Sequence, residues 1–382
     1  MNDVIVVGAG CVGNHVACLL AEQGMDVLVL EKDRTIGDSV NCSGIVGVEA
    51  FLKLDLPKES IQNNLQGMKV IGPSGQSVVH MPNVPWAHIV DRVRFDCQMA
   101  EKAKNSGVIY RMESWVEDIE IDSDGVSLAA QCKEGIETFR AKACVLATGY
   151  GAKFIQKLGL GKIHNSIQGV QLEAVVRDVK EVEIYLGNKV APGSFAWVVP
   201  IGDERCKIGL LTKEGGGELL RKFVEGPYLA PRMQDWDGTV KASMIPMGTL
   251  PKTFAERILV VGEVAGQVKI TTAGGICYGL LCAEMAAEVF GRSFRENDFS
   301  EETLAVYDSK WRELLEPELD AGTTLRRIFS RMSDSHIDGL ISLARYDGII
   351  PLVNRAFRFD WHAPLISALL NNQLKSWAVK TN

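Results

Sequence analysis

Residues 4–13 read Val4-Ile5-Val6-Val7-Gly8-Ala9-Gly10-Cys11-Val12-Gly13, and this stretch decides the fold. The apolar, mostly β-branched run Val4–Val7 predicts a strand buried on both faces, as in a parallel sheet. Gly8, Gly10 and Gly13 follow in G-x-G-x-x-G spacing. Val12, Val16, Leu19 and Leu20 then recur at helical intervals, and Gly24 supplies a stop. Val27–Leu30 predicts a second buried strand that ends at Glu31. In such a unit the first glycine allows the tight turn and the second lets a pyrophosphate approach the backbone. The third lets helix and strand pack closely. The helix N-terminus offers free N–H groups and a positive dipole end to phosphates. Glu31 offers acceptors to an adenosine ribose. Glycine turns are common, so the motif alone is weak. The strand, the helix, the second strand and the acid around it make a dinucleotide site the better reading than a plain strand–helix turn.

Working outward, 382 residues suggest two or three domains or one large composite unit. Hydrophobic residues make up 46% and charged residues 23%, which excludes a disordered chain. With 41 Lys and Arg against 48 Asp and Glu, the net charge is -7, giving no general attraction to nucleic acid. Nine cysteines is an odd count with no C-x-x-C pair, which argues against a disulfide framework, a zinc ribbon or a chain-encoded iron–sulfur site. The six histidines show no metal-ligand spacing. A reducing, cytoplasmic setting is expected. Asp3 and the glycines at 8, 10 and 13 do not suit a signal peptide, and no run of eighteen apolar residues predicts a spanning helix. No internal repeat, G-x-S-x-G elbow or phosphate-loop motif is present.

Further along, Arg92, Phe95 and Asp96 open an amphipathic helix with Phe95, Met99 and Ala103 at four-residue spacing, stopped by Gly107. Val108–Met112 reads as a strand. Turns at Ser123-Asp124-Gly125 and Lys133-Glu134-Gly135 then predict a β-meander ending in Ala143–Leu146 and Ala147-Thr148-Gly149. Ile258–Val261 predicts another buried strand, followed by Gly262-Glu263. Gly274-Gly275 precede a long Ala-rich helix at roughly 275–290.

Over roughly residues 1–290 the sequence resembles the FAD-dependent geranylgeranyl reductase family, within the wider p-hydroxybenzoate-hydroxylase-like two-domain flavoproteins. The resemblance selects FAD, which residues 1–31 alone do not separate from NAD. It implies that Gly262 and Glu263 form a second glycine-rich turn under the flavin, with Glu263 where the family usually has Asp. Arg92 matches the family's R-x-x-F-D element, whose Arg commonly touches the cofactor; the alternative for Arg92 is a surface salt bridge. Asn41-Cys42-Ser43-Gly44 matches the family's C-x-G turn beside the flavin. The resemblance also places Cys11, Val12, Lys32, Val116, Ala147, Thr148, Gly149, Gly274, Gly275 and Ile276 at the cofactor.

Pro192–Pro200 resembles the family's P-x-x-Y-x-W-x-F-P signature, with Phe195 for Tyr and Val199 for Phe. Phe195 and Trp197 share one face of a strand, and with Pro200 are expected to line a substrate pocket; the competing reading is ordinary core packing. Gln168–Arg177, Glu181–Leu186, Phe195–Pro200 and Lys207–Leu211 predict an antiparallel sheet, joined by a hairpin at Met68–Met81. The predicted fold class is α/β. A Rossmann-type FAD-binding domain with a parallel sheet takes residues 1–66, 86–165 and 251–295. It is interleaved with a β-rich substrate domain, comprising the hairpin 67–85 and residues 166–250. A C-terminal helical region takes 296–382.

Residues 323–382 carry eight Lys and Arg against four Asp, a local +4 in a chain of -7. This suits either a helical subdomain that closes the substrate domain or a peripheral contact with an anionic membrane surface. The apolar clusters there are Ile349-Ile350, Leu352-Val353 and Leu365–Leu370.

The resemblance implies reduction of isoprenoid C=C bonds by hydride from reduced flavin plus a proton. The substrate would be a geranylgeranyl chain on a diphosphate, a glycerophospholipid, a chlorophyll precursor or a quinone. The external electron donor would be ferredoxin or NAD(P)H. Cys42 either relays the proton or only packs beside the ring. An aromatic monooxygenase is the alternative, but Thr148-Gly149-Tyr150-Gly151 lacks the D-G motif usual there. A quinone-linked electron-transfer flavoprotein dehydrogenase is weakened by the missing cysteine cluster. A non-enzymatic flavin binder is the last reading.

Overall fold

The structure, a computed structural model, describes residues 1–151, 153–346, 353 and 357–369. The strand Asn2–Val7 lies inside a parallel sheet, between Val27–Leu30 and the end of the long strand Gly135–Leu146. Ile109–Arg111 extends the sheet beyond Val27–Leu30, and Ile258–Val260 extends it beyond Gly135–Leu146. Val4 and Val6 point into one core and Ile5 and Val7 into the other, all at most 5% exposed. Burial on two faces is why the run is continuously apolar rather than alternating.

Three helices cover one face: Cys11–Glu22, Arg92–Asn105 and Ile276–Glu296. The other face is covered by the meander Trp115–Asp122, Gly125–Cys132 and the first half of Gly135–Leu146. Val7 pairs with both Leu30 and Leu146, and Leu146 with Val260, so four strands end in a row. Ligands of open parallel sheets bind outside such carboxyl ends.

A second sheet runs Met233–Trp236, Ser166–Val176, Arg205–Thr212, Phe195–Gly202, Val182–Leu186, Met68–Ile71 and Ser77–His80, with Lys241–Pro246 also on Ser166–Val176. It is antiparallel except where Val182–Leu186 meets Met68–Ile71 in parallel. Even-numbered residues Val170, Leu172, Ile208 and Leu210 pack under the helix Gly216–Val224. Odd-numbered side chains of the same strands therefore face the first layer.

A third, three-stranded sheet joins Ile45–Gly47, Ala87–Val90 and Ile61–Leu65. Sequence patterning does not reveal it. Its strands are short, Ile61–Leu65 is polar in the middle, and a bulge breaks its register. The C-terminal region holds the helices Glu301–Phe329 and Asp334–Tyr346. Ser300 caps the first by accepting from the Thr303 N–H. Residues 363–369 form a short further helix. Of the expected apolar clusters, Ile349-Ile350, Leu352 and Leu370 lie outside the described residues. Among the described residues no helix is long and apolar enough to cross a membrane.

Candidate functional site

The three glycines after Asn2–Val7 are needed for three different reasons. Gly8 has φ +105°, and a β-carbon there would stand 2.4 Å from the Ala147 carbonyl oxygen. A β-carbon on Gly13 would stand 2.0 Å from the Gly8 oxygen, so this glycine lets the helix touch the turn. At Gly10 a β-carbon would meet nothing within 4 Å. The open space lies at the N-cap of Cys11–Glu22, where the first-turn N–H groups point outward. It is a cradle for an anion that approaches the main chain closely.

Glu31 braces this turn. Its carboxylate accepts from the Ala9 N–H at 2.6 Å and from the Asp33 N–H at 2.9 Å. Asn14 donates to the Ala9 and Asp96 carbonyls, and Tyr110 donates to Asn14 at 2.8 Å. Arg92 begins the helix Arg92–Asn105, behind an Asp91 cap, and donates to both oxygens of Asp96 at 3.0 Å. It also reaches the Cys11 sulfur at 3.7 Å. Arg92 is therefore an interior cation and not a surface salt bridge. Burial opposes its charge, but Asp96, then Cys11 and Cys42, outweigh burial and keep it protonated. Burial raises the Asp96 carboxyl, with Arg92 working against it. Burial pushes the Cys11 thiol up to about 12, which makes it a packing residue and not a nucleophile.

These groups open into a cavity of about 950 Å³, near the top of the usual range for small-molecule sites. Its floor is largely main chain. Gly8, Gly10, Cys11, Val12 and Gly13 form one part, and Ala147, Thr148 and Gly149 another. Gly262, Glu263, Gly274, Gly275 and Ile276 form a third. Glu31, Lys32 and Val116 stand at one end; Cys42, Ser43 and Arg92 line the side. Burial raises the Glu263 carboxyl, while Arg92 and a backbone hydrogen bond at Tyr150 lower it.

The roof is the inward face of the second sheet: Gly169, Gln171, Trp197, Leu211, Ser243 and Ile245. Gly209 makes room for the indole of Trp197, since a β-carbon there would be 2.3 Å from the ring. The indole N–H is buried and has no partner among the described residues.

Three expected residues are not in the wall. A β-carbon on Gly44 would stand 2.3 Å from the Val90 carbonyl oxygen, so this glycine serves the packing of the third sheet. Phe195 stands behind Trp197, with ring centroids 6.0 Å apart, and does not reach the cavity. Pro200 falls on the opposite parity of its strand from Trp197, and its carbonyl accepts from Asn63.

Sequence reading also missed residues. Lys269 and Asp360 form a buried ion pair at 2.8 Å in the cavity wall, joining the loop before Ile276–Glu296 to the C-terminal segment. Lys269 stands alone in the apolar run Val268–Ile270, a signal that was available. Nothing local marks Asp360. Gln171 and Lys207 both donate to the Cys42 carbonyl, at 3.4 and 3.2 Å. Both are inward on alternating strands, where polarity reads as a wet face. Among the described residues no group of three or more acids, histidines or cysteines could hold a metal ion.

The FAD dependent oxidoreductase family matches residues 3–69, which span the glycine turn, both strands around it and the Cys42 turn. A digeranylgeranylglycerophospholipid reductase of Methanocaldococcus jannaschii is 30% identical, over 88% of this chain and 89% of that protein. A reductase of the same name from Methanosarcina acetivorans is 28% identical over 88% and 87%. Among solved structures, a geranylgeranyl bacteriochlorophyll reductase-like protein of Thermoplasma acidophilum superimposes with a TM-score of 0.85 at 21% identity. That match covers 97% of this chain and 98% of the other. The cradle at Gly10, the ribose-type acceptor at Glu31 and the cavity between them fit FAD. By sequence identity along nearly its whole length, the protein belongs to the geranylgeranyl reductase family and is an FAD-dependent oxidoreductase.

Proposed function

We propose that the protein saturates carbon–carbon double bonds of a geranylgeranyl-type chain carried by a lipid. The observation that carries this reading is the two-sided cavity. One wall is a backbone cradle with Glu31 and Arg92, and the other is a largely apolar sheet face around Trp197, Leu211 and Ile245. In this reading the turn Gly8–Gly13 and the N-terminus of Cys11–Glu22 hold the pyrophosphate of FAD. Glu31 holds a ribose, and Thr148, Gly149, Glu263, Gly274 and Gly275 lie against the rest. Bound and reduced, FAD supplies the hydride for one alkene carbon. Cys42 gives the proton to the other carbon, with Arg92 at hand to steady the thiolate. Trp197 faces the developing positive charge, an interaction of about 0.5–2 kcal/mol. That is too small to carry the reaction, so positioning between floor and roof does most of the work.

The flavin would be reduced by an external donor, ferredoxin or a nicotinamide. Leu325 and Ile328 are each more than a third exposed on Glu301–Phe329, beside exposed Arg327 and Arg331. They support a peripheral contact with an anionic bilayer, from which a lipid would reach the cavity.

The test is single turnover. Anaerobically reduced protein is mixed with a geranylgeranyl glycerophospholipid, and flavin absorbance and product mass are followed. Reoxidation with two hydrogens gained per bond is expected. Flavin that stays reduced until oxygen or a quinone arrives would overturn the reading. Cys42→Ala is expected to slow reoxidation by about 10²-fold or more, and an unchanged rate removes Cys42 from the chemistry.

A further inference from the structure

The inward face of the second sheet runs past the cavity described above to a second one of about 600 Å³. The turn at Cys42 and Ser43 abuts the sheet between them. Cys42, Arg92 and Gln171 line both spaces. Lys207 stands at this divide. It is 6% exposed, lines the second cavity and forms no ion pair among the described residues. Among the described residues its ammonium donates only to main-chain carbonyls, to Cys42 at 3.2 Å and Ser43 at 3.4 Å. A buried ammonium with no carboxylate partner is costly, and one bonded only to neutral carbonyls keeps little of its hydration. The rim beyond it is exposed and charged, with Glu173, Arg205, Asp235 and Lys241, so the second cavity meets solvent.

We propose that Lys207 resupplies Cys42 with protons drawn from the second cavity, a role that rests on the reductase reading above. Saturating one alkene consumes one hydride and one proton. As the Cys42 S–H bond breaks, a C–H bond forms on substrate and a thiolate remains. Lys207 then loses one N–H proton, the S–H bond re-forms, and the neutral amine takes a proton from solvent. Hydride from the reduced flavin is the only electron pair transferred, so no further oxidant or reductant is needed. Arg92, beside the same thiol, holds the thiolate but cannot give up a proton. The side-chain carbonyl oxygen of Gln171, without a partner among the described residues and 8% exposed as a residue, offers an acceptor for a water on this path.

The electrostatics support the role. Burial pulls the Lys207 pKa below the ordinary lysine value; Cys42, Glu173 and Asp91 act in the opposite sense, and Arg92 with burial. A lysine so placed releases a proton more readily than one on the surface.

The experiment compares wild type, Lys207→Arg and Lys207→Ala. Lys207→Arg keeps a cation for the two carbonyls but has no proton to release. Both variants are expected to bind FAD as wild type does by fluorescence titration, and to slow repeated turnover under excess dithionite about 10²-fold, since the thiolate left by the first reduction regains its proton by way of Lys207. Ethylamine is expected to restore Lys207→Ala several-fold by way of the second cavity. The side-chain ¹⁵N signal of Lys207, assigned by its loss in Lys207→Arg, is expected to titrate below those of surface lysines. A wild-type rate in Lys207→Arg, or equal slowing without amine rescue, would show that Lys207 only props the turn and overturn the proposal. If the wild type itself leaves the lipid unreduced, the reductase reading fails and the relay falls with it.

Discussion

On the floor of the cavity, what faces inward is mostly backbone: Gly8 to Gly13, Ala147 to Gly149, Gly274 and Gly275. On the roof it is side chains: Gln171, Trp197, Leu211, Ser243 and Ile245. The two surfaces read their ligands differently. A floor of N–H groups and a helix N-terminus fits any pyrophosphate placed against it, and glycine spacing fixes it. A roof of alternating side chains can change its ligand by exchanging single residues without moving the backbone. The cofactor is therefore built into the fold, and the substrate is chosen by a replaceable surface.

Substituting glycines of the floor tests this most harshly. Gly13→Val would drive a β-carbon to within 2.0 Å of the Gly8 oxygen, a backbone atom with no room to yield. The expected cost exceeds about 4 kcal/mol, with little folded protein recovered. Gly10→Ala meets nothing within 4 Å. Its apo thermal unfolding should match wild type, while FAD affinity falls roughly 10–100-fold, the equivalent of about 1.5–3 kcal/mol of charged hydrogen bonding. Equal losses of stability in both variants would mean that the cradle is structural and the floor has no vacancy for phosphate.

The side wall comes next. Lys269 and Asp360 are 7% and 4% exposed in their side chains and tie the floor loop to the C-terminal segment. Lys269→Met leaves a buried carboxylate alone and should cost about 3–5 kcal/mol in urea unfolding. The double variant Lys269→Met with Asp360→Leu should recover much of that, since an apolar pair of similar volume replaces the ions. A single variant costing under about 1 kcal/mol would show that the pair does not anchor the segment.

The same contrast explains what could be read from sequence. The floor was legible because its constraints are local. Gly8, Gly10 and Gly13 fall within six residues, and Glu31 follows one helix and one strand later. The meander and most of the second sheet were legible through two-residue turns and alternation. The third sheet was not, because Ile61–Leu65 alternates weakly and pairs across distant chain. Lys207 and Asp360 were invisible for a different reason. Their role depends on which strand face or which distant segment meets them, and a lysine within Cys206–Ile208 reads as solvent-facing until the sheet has a partner layer. Pro200 was misplaced by treating a motif as a surface, when alternation puts it on the opposite side from Trp197.

The smallest expected effect decides whether the roof is as separate from the floor as its geometry suggests. Trp197→Phe keeps an apolar ring over Gly209 and deletes the indole N–H, which has no partner among the described residues. If the roof serves only substrate, FAD affinity stays as in wild type. KM for a geranylgeranyl lipid then rises about two- to fivefold, under about 1 kcal/mol, through lost ring area. If flavin titration instead shows a weaker cofactor with KM unchanged, the indole N–H is a flavin ligand. One roof side chain would then belong to the cofactor half of the site, and the substrate-selecting surface would shrink to Gln171, Leu211, Ser243 and Ile245. Flavin titration separates the two outcomes, because a lost flavin contact weakens cofactor binding and a lost substrate contact does not.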